Sequence, residues 1–164
     1  MKKKGAAVLL SLGTGFAGAA TGAAAVFKQL NKSIDKKDKR IEKFKSYFDI
    51  LNQWMIYKHE GRNLCEYFEK KGYKKIAIYG VGELGSRLYE ELKGTDIEVA
   101  YGIDKRNISW SDDTATKIVE PHMIDEPVDV IVVTPVFDYD AIEEQLMDVV
   151  DYPVISLEDV VYEM

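Results

Sequence analysis

Apolar residues fall into three regimes along the chain. From Gly5 to Phe27 there are 23 residues without a charge, rich in glycine and alanine. From Ile34 the pattern turns helical: Ile41, Phe44, Phe48, Leu51 and Met55 recur at alternating steps of three and four. That is the seam of a two-stranded or packed helix. Beyond residue 73, short apolar runs alternate with amphipathic stretches. Ile76, Ile78 and Tyr79 predict a strand, and Leu84, Leu88 and Leu92 a helix after it. Ile97 to Ile103 predicts a second strand, and Lys117 to Val119 a short third. Val128 to Thr134 is nearly continuous in apolar residues, as in a central parallel strand covered on both faces. Asp140 with Glu143 predicts a capping box for a helix through about Val150. Val154 and Ile155 make a last strand, and Ser156 starts a closing helix. This alternation predicts an α/β fold, a doubly wound parallel sheet of about five strands in the order 3-2-1-4-5.

Three segments follow: 1–30, 31–72 and 73–164. The first predicts a membrane anchor, because a helix of 23 uncharged residues is long enough for a hydrocarbon core of roughly 30 Å. Thirteen of the 23 are Gly or Ala and only seven are Val, Leu or Phe, so insertion is marginal. Thr14, Gly18 and Gly22 fall four apart, as do Gly15, Ala19 and Ala23, a spacing that lets helices pair closely in lipid. Residues 10–26, with 34–55, are therefore candidates for a homodimer contact. Met1-Lys-Lys-Lys, the apolar stretch and Ala23-Ala24-Ala25 also fit a secretory signal peptide. The segment 31–72 reads as a helical connector that either pairs two copies or packs on its own domain. The aromatic density near Tyr47, Phe48, Trp54 and Tyr57 suits such a docking face. Gly61 ends this helix; Asn63 caps a short second one that Gly72 terminates, with Leu64, Tyr67 and Phe68 facing inward.

Charge changes the picture of partners. Residues 1–45 hold 11 Lys/Arg against 3 Asp/Glu, and the remainder 11 against 25, so +8 and −14 make up the overall −6. An acidic globule repels phosphate backbones, which argues against nucleic acid as a partner. A basic leader beside an apolar run points to a membrane, and eight Lys/Arg between Lys28 and Lys45 place the domain on the cytoplasmic side. The single Cys65 excludes an intrachain disulfide framework, and His59 and His122 are too few for a histidine-rich metal centre.

The candidate chemistry sits where the first strand runs into Gly80-Val-Gly82-Glu-Leu-Gly85. A strand, a three-glycine turn and a helix aim backbone N–H groups and a positive helix end at one point, where a phosphate can sit. Asp104 closes the second strand, about where a dinucleotide fold places the carboxylate for the ribose hydroxyls. The candidate cofactor site is Gly80, Val81, Gly82, Glu83, Leu84, Gly85, Asp104, Lys105, Thr134 and Pro135, for NAD or a related nucleotide. Asp104 favours an unphosphorylated ribose, hence NAD over NADP. Lys105 and Arg106, which could neutralise Asp104 or receive a phosphate themselves, weaken that preference, and Glu83 would repel a phosphate if it turned inward. A purely structural reading also holds: the glycines then serve only a tight turn and close packing.

Lys74 to Leu92, Gly102 to Lys105, Asp129 to Thr134 and Pro153 to Asp159 carry a resemblance covering roughly 63–164. The chain resembles the small NAD(P)-binding Rossmann-like domains that accompany bacterial glycan and cell-envelope biosynthesis proteins, often described as nucleoside-diphosphate-sugar epimerase-like. The resemblance implies a nucleotide-binding fold and an envelope-biosynthesis enzyme as a partner, without fixing an activity. A sugar epimerase of this fold needs a Tyr-x-x-x-Lys pair on a later helix. The only such spacing, Tyr101 to Lys105, ends a strand, where Tyr101 reads as a sheet residue. His122 reads as a solvent-exposed loop residue. No nucleophile–base set assembles, which predicts a binding accessory or sensor, with a scaffold or a half-site completed by a partner as alternatives.

Overall fold

The computed structural model describes the backbone of residues 3–106 and 116–164, and side chains from residue 28 onward within those limits. The chain forms two compact units, Met1–Phe44 and Lys45–Met164. A long helix α1 (Lys3–His59) comes first. The second unit continues with α2 (Cys65–Lys71), β1 (Lys75–Tyr79), α3 (Glu83–Leu92), β2 (Glu98–Ile103), β3 (Ile118–Val119), β4 (Val130–Val133), α4 (Tyr139–Met147), β5 (Val154–Ser156) and α5 (Leu157–Tyr162). The side chains of residues 3–27 lie outside the described residues, and the membrane-anchor expectation for 5–27 lies there with them. Among the described residues, no helix is long and apolar enough to cross a membrane.

The five strands form one parallel sheet in the order β3-β2-β1-β4-β5, as the alternation of elements predicts. Strand residues alternate between two faces, and each face builds its own core. Ile76, Ile78, Val130 and Val132 pack with Ile50, Trp54, Phe68, Leu84, Leu88 and Val160 on one side. Ala77, Tyr79, Tyr101, Ile103, Ile131 and Val133 pack with Ile142 and Leu146 on the other. The unbroken apolar run of β4 follows, since all four of its residues are buried.

The turn signals before the sheet hold. Gly61 takes φ 75° just past α1. Asn63 Oδ1 accepts from the Cys65 N–H at 2.9 Å, one residue ahead of the N-cap position, which Leu64 holds with no side-chain cap. Gly72, at φ 78°, ends α2 with the Tyr73 N–H bonded to the Phe68 carbonyl, closing that helix in a left-handed cap. Two readings are corrected. Asp140 and Glu143 form no capping box: Asp138 holds the N-cap position of α4, no side chain caps it there, and Glu143 instead accepts from the Tyr139 hydroxyl. The capping box of the fold is at Ser156 and Asp159, on α5. The aromatic docking face of α1 holds at Tyr47, Trp54 and Tyr57 and fails at Phe48, and it differs from the apolar seam. Within the second unit, Ile50 and Trp54 are buried with Tyr47 and Tyr57 beside them, whereas Phe48, Leu51 and Met55 are exposed.

Glu91 fastens α1 to the sheet domain. It falls on the same stripe as Leu84 and Leu88, and its side chain is only 4% exposed. It accepts from Trp54 Nε1 at 3.0 Å, Lys58 Nζ at 2.5 Å and the Leu64 N–H at 3.0 Å. Three donors justify one buried carboxylate. Glu91→Ala leaves the indole and the Leu64 amide without an acceptor, and should destabilise the second unit by about 2–4 kcal/mol. Urea unfolding followed by tryptophan fluorescence measures it; a change below about 0.5 kcal/mol would show that α1 is held by its apolar contacts alone.

Candidate functional site

Gly80, Gly82 and Gly85 have three different reasons to be glycine. Gly80 leaves β1 at φ 90°, and a Cβ there would meet the Pro135 ring and Thr134 Oγ1 at 2.7 to 2.8 Å. A Cβ on Gly85 would fall onto the Gly80 carbonyl oxygen. That closeness brings the first turn of α3 against the end of β1. Gly82 is different: its φ is −94°, nothing stands within 4 Å of its Cβ position, and it is the N-cap of α3. No side-chain acceptor caps the helix there.

Thr134 and Pro135 belong to the same knot. The buried Thr134 hydroxyl donates to the Gly80 carbonyl at 2.8 Å, with the Tyr79 carbonyl at 3.1 Å. Pro135 follows at φ −73° and ψ 67°, an inverse γ-turn closed by the Val136 N–H on the Thr134 carbonyl. Val81 and Leu84 are buried in the core below, while Glu83 is exposed. The predicted turn residues are thus brought together at the carboxyl ends of β1 and β4, where the sheet order reverses.

Asp104 also reaches this point. It is buried, and its Oδ2 accepts from the Val81 N–H at 3.0 Å. Its Oδ1 accepts from the Arg106 N–H at 2.9 Å and from Arg106 Nε at 3.1 Å, while the second guanidinium nitrogen lies 3.2 Å from Oδ2. Burial works against the charge, but the Arg106 guanidinium and the N–H groups of Arg106 and Val81 hold the carboxyl below its ordinary range. Arg106 itself is 67% exposed. With Asp104, Lys117, Val119, Glu120, Met123 and Asp125 it lines a hollow of about 430 Å³ at the β2 and β3 ends. Lys105 points away from the turn, donating to Gln145 at 2.8 Å. Of the predicted set, it alone leaves the cluster.

The Tyr101 and Lys105 spacing makes no catalytic pair. The Tyr101 hydroxyl is buried and donates to the Glu126 carbonyl at 2.7 Å, beside the Tyr152 hydroxyl at 3.2 Å. Desolvation pushes its ionisation far above the ordinary phenol value. His122 is exposed beside Glu120, 3.6 Å away. Among the described residues no group of His, Cys, Asp or Glu is arranged to hold a metal.

The fold and the turn define a parallel α/β domain with a glycine turn at its strand-order reversal. The chain belongs to the family described as C2185-like, N-terminal, which matches residues 72–154. That span holds the whole cluster, from Gly80 to Pro135, and leaves α1, α2 and α5 outside it. Neither the curated proteins nor the solved structures offer a match.

The packing reasons differ enough to be measured. Gly85→Ala should destabilise the domain by about 2 kcal/mol or more, because backbone must move. Gly82→Ala should change stability by less than about 1 kcal/mol. Thermal unfolding of the two variants side by side checks the order, and equal losses would contradict it. A pH effect follows from Asp104. Its carboxyl is lowered in the folded state, so its stabilisation is present above the ordinary carboxylate pKa and is lost as pH falls through and below about 4. Asp104→Asn should flatten the acid limb of the stability curve; an unchanged limb would assign acid unfolding to other carboxylates.

Proposed function

We propose that the chain is a nucleotide-binding module of Rossmann type, taking a phosphate at the α3 N-terminus, and that it works with a partner and not as a stand-alone enzyme. Gly82 carries the reading. Gly80 and Gly85 are required by packing, but Gly82 sits in open space with a φ any residue can adopt. Stability alone would favour Ser, Asp or Asn at that N-cap position. A glycine there leaves the helical N–H groups bare, which is what close approach of a phosphate needs. Glu83 is exposed, so its carboxylate can face water.

The ligand class follows from Asp104 and Arg106. In an NAD-type site the carboxylate takes the ribose hydroxyls. Both oxygens of Asp104 are already bonded, and an exposed guanidinium stands over them. A ligand with a phosphate on that ribose meets a cation, which favours an NADP-type nucleotide over NAD. This reading holds with or without a membrane tether through residues 5–27. The structural alternative, a scaffold with no ligand, has one observation in its favour: Asp104 and Thr134 satisfy part of the turn from within.

Calorimetric titration with NAD, NADP and a uridine diphosphate sugar separates the two. NADP should bind, and Arg106→Ala should weaken it about tenfold, near 1.4 kcal/mol, while leaving any NAD binding unchanged. Gly82→Asp supplies a capping carboxylate, so it should keep or raise the melting temperature and abolish binding. Silence across the panel at millimolar ligand establishes the scaffold instead.

A further inference from the structure

Large apolar side chains stand exposed along α1, and they keep a seven-residue repeat. In the first unit these are Leu30, Ile34, Ile41 and Phe44; in the second, Phe48, Leu51 and Met55. Numbered as heptads, Ile34, Ile41, Phe48 and Met55 take position a, and Leu30, Lys37, Phe44 and Leu51 take position d. In the second unit this seam borders the stripe of Ile50 and Trp54 that docks on the domain, and Leu51 and Met55 line a hollow of about 300 Å³ with Trp54, Arg87 and Glu91. Phe44 and Phe48 are each 67% exposed. At roughly 100 Å² for each of the seven, the seam offers about 700 Å² per copy, close to the roughly 800 Å² per partner of a stable interface.

Charge selects the partner and its direction. A second copy of α1 laid parallel and in register would set Lys37 against Lys37, and Arg40 at a g position against Lys45 at an e position. Both contacts are repulsive. Laid antiparallel with full overlap, the same seam pairs Leu30 with Met55, Ile34 with Leu51 and Ile41 with Phe44. Lys37 then lies over Phe48, a favourable cation–ring contact, and Asp38 flanks Lys45 on each side of the centre. Every a position meets a d position, and the charges that clash in the parallel pair find opposite or aromatic partners.

We propose that α1 pairs with α1 of a second copy, antiparallel, along residues 30–55. The seam is self-complementary about a two-fold axis between residues 42 and 43, so one contact closes the assembly as a dimer. The proposal is independent of the nucleotide site.

Disulfide trapping in the full chain tests it, with wild type as the control for the buried Cys65. Ile34→Cys and Leu51→Cys should each fail to cross-link alone and should cross-link when mixed. Self-cross-linking of either variant would mean a parallel pair and would overturn the proposal, as would no cross-link in the mixture. Sedimentation equilibrium gives a second readout. Phe44→Asp, which sets a carboxylate against Ile41 of the second copy, should weaken the dimer at least a hundredfold, with the melting temperature of the sheet domain unchanged. A wild-type chain that stays monomeric at about 50 µM, well above the affinity range of specific interfaces, would sink the idea as well.

Discussion

The approach of α3 to the end of β1 is the constraint on which the rest of the domain depends. With Gly85 against the Gly80 carbonyl, the helix sits low enough for Leu84 and Leu88 to reach the core beside Ile78 and Val132. Thr134 fixes the same carbonyl from β4, and Pro135 turns the chain away over Gly80. Two strand ends and a helix thus converge on one peptide group. The glycine pattern marks a fold because this packing demands it, whatever ligand is present. Two of its three glycines would be needed in a domain that bound nothing.

Much of the fold was legible because the governing signals are local. A short, β-branched apolar run stopped by a proline reads as a strand covered on both faces, and Val130–Val133 is one. Gly72 terminates α2 through its own backbone conformation, which needs no knowledge of the tertiary structure. The failures were tertiary. Asp140 and Glu143 have the spacing of a capping box, but the 3₁₀ turn at Val136–Asp138 sets the helix start, and Tyr139 takes Glu143 for itself. On α1 the strongest apolar repeat was a poor guide to the docking face. Docking there rests on Ile50, Trp54 and a carboxylate on another helix, and a periodicity read along one helix cannot report that partner. A signal for Glu91 did exist: it stands on an inward stripe otherwise made of leucines.

The candidate site was legible in position and less so in state. Strand order alone places Asp104 and the glycine turn together, since both end neighbouring strands. Whether the carboxylate is open or already bonded depends on where residues two positions away can reach. Arg106 folds back onto Asp104, and the Val81 amide meets it from the turn, a contact spanning 23 positions. Lys105 shows the converse. It is adjacent to Asp104 in the chain, but its side chain leaves on the other side and bonds to α4.

The long-range field makes this local arrangement decisive. Residues 46–164 carry a net −14, so the domain does not draw an anionic ligand toward itself over distances beyond about 10 Å. Any phosphate would have to be held by short-range donors that outweigh that field, and there are two kinds near the strand ends. The bare N–H groups of α3 are fixed in place by the Gly85 contact, and they lose no side-chain entropy on binding. The Arg106 guanidinium is exposed and paired, so a phosphate there would share it with Asp104 or release it. The Asp104 bond to the Val81 amide is a separate contact of that carboxylate and does not depend on Arg106. The carboxylate that would serve a ribose in an NAD site is, in this geometry, bonded to the glycine turn through the Val81 amide.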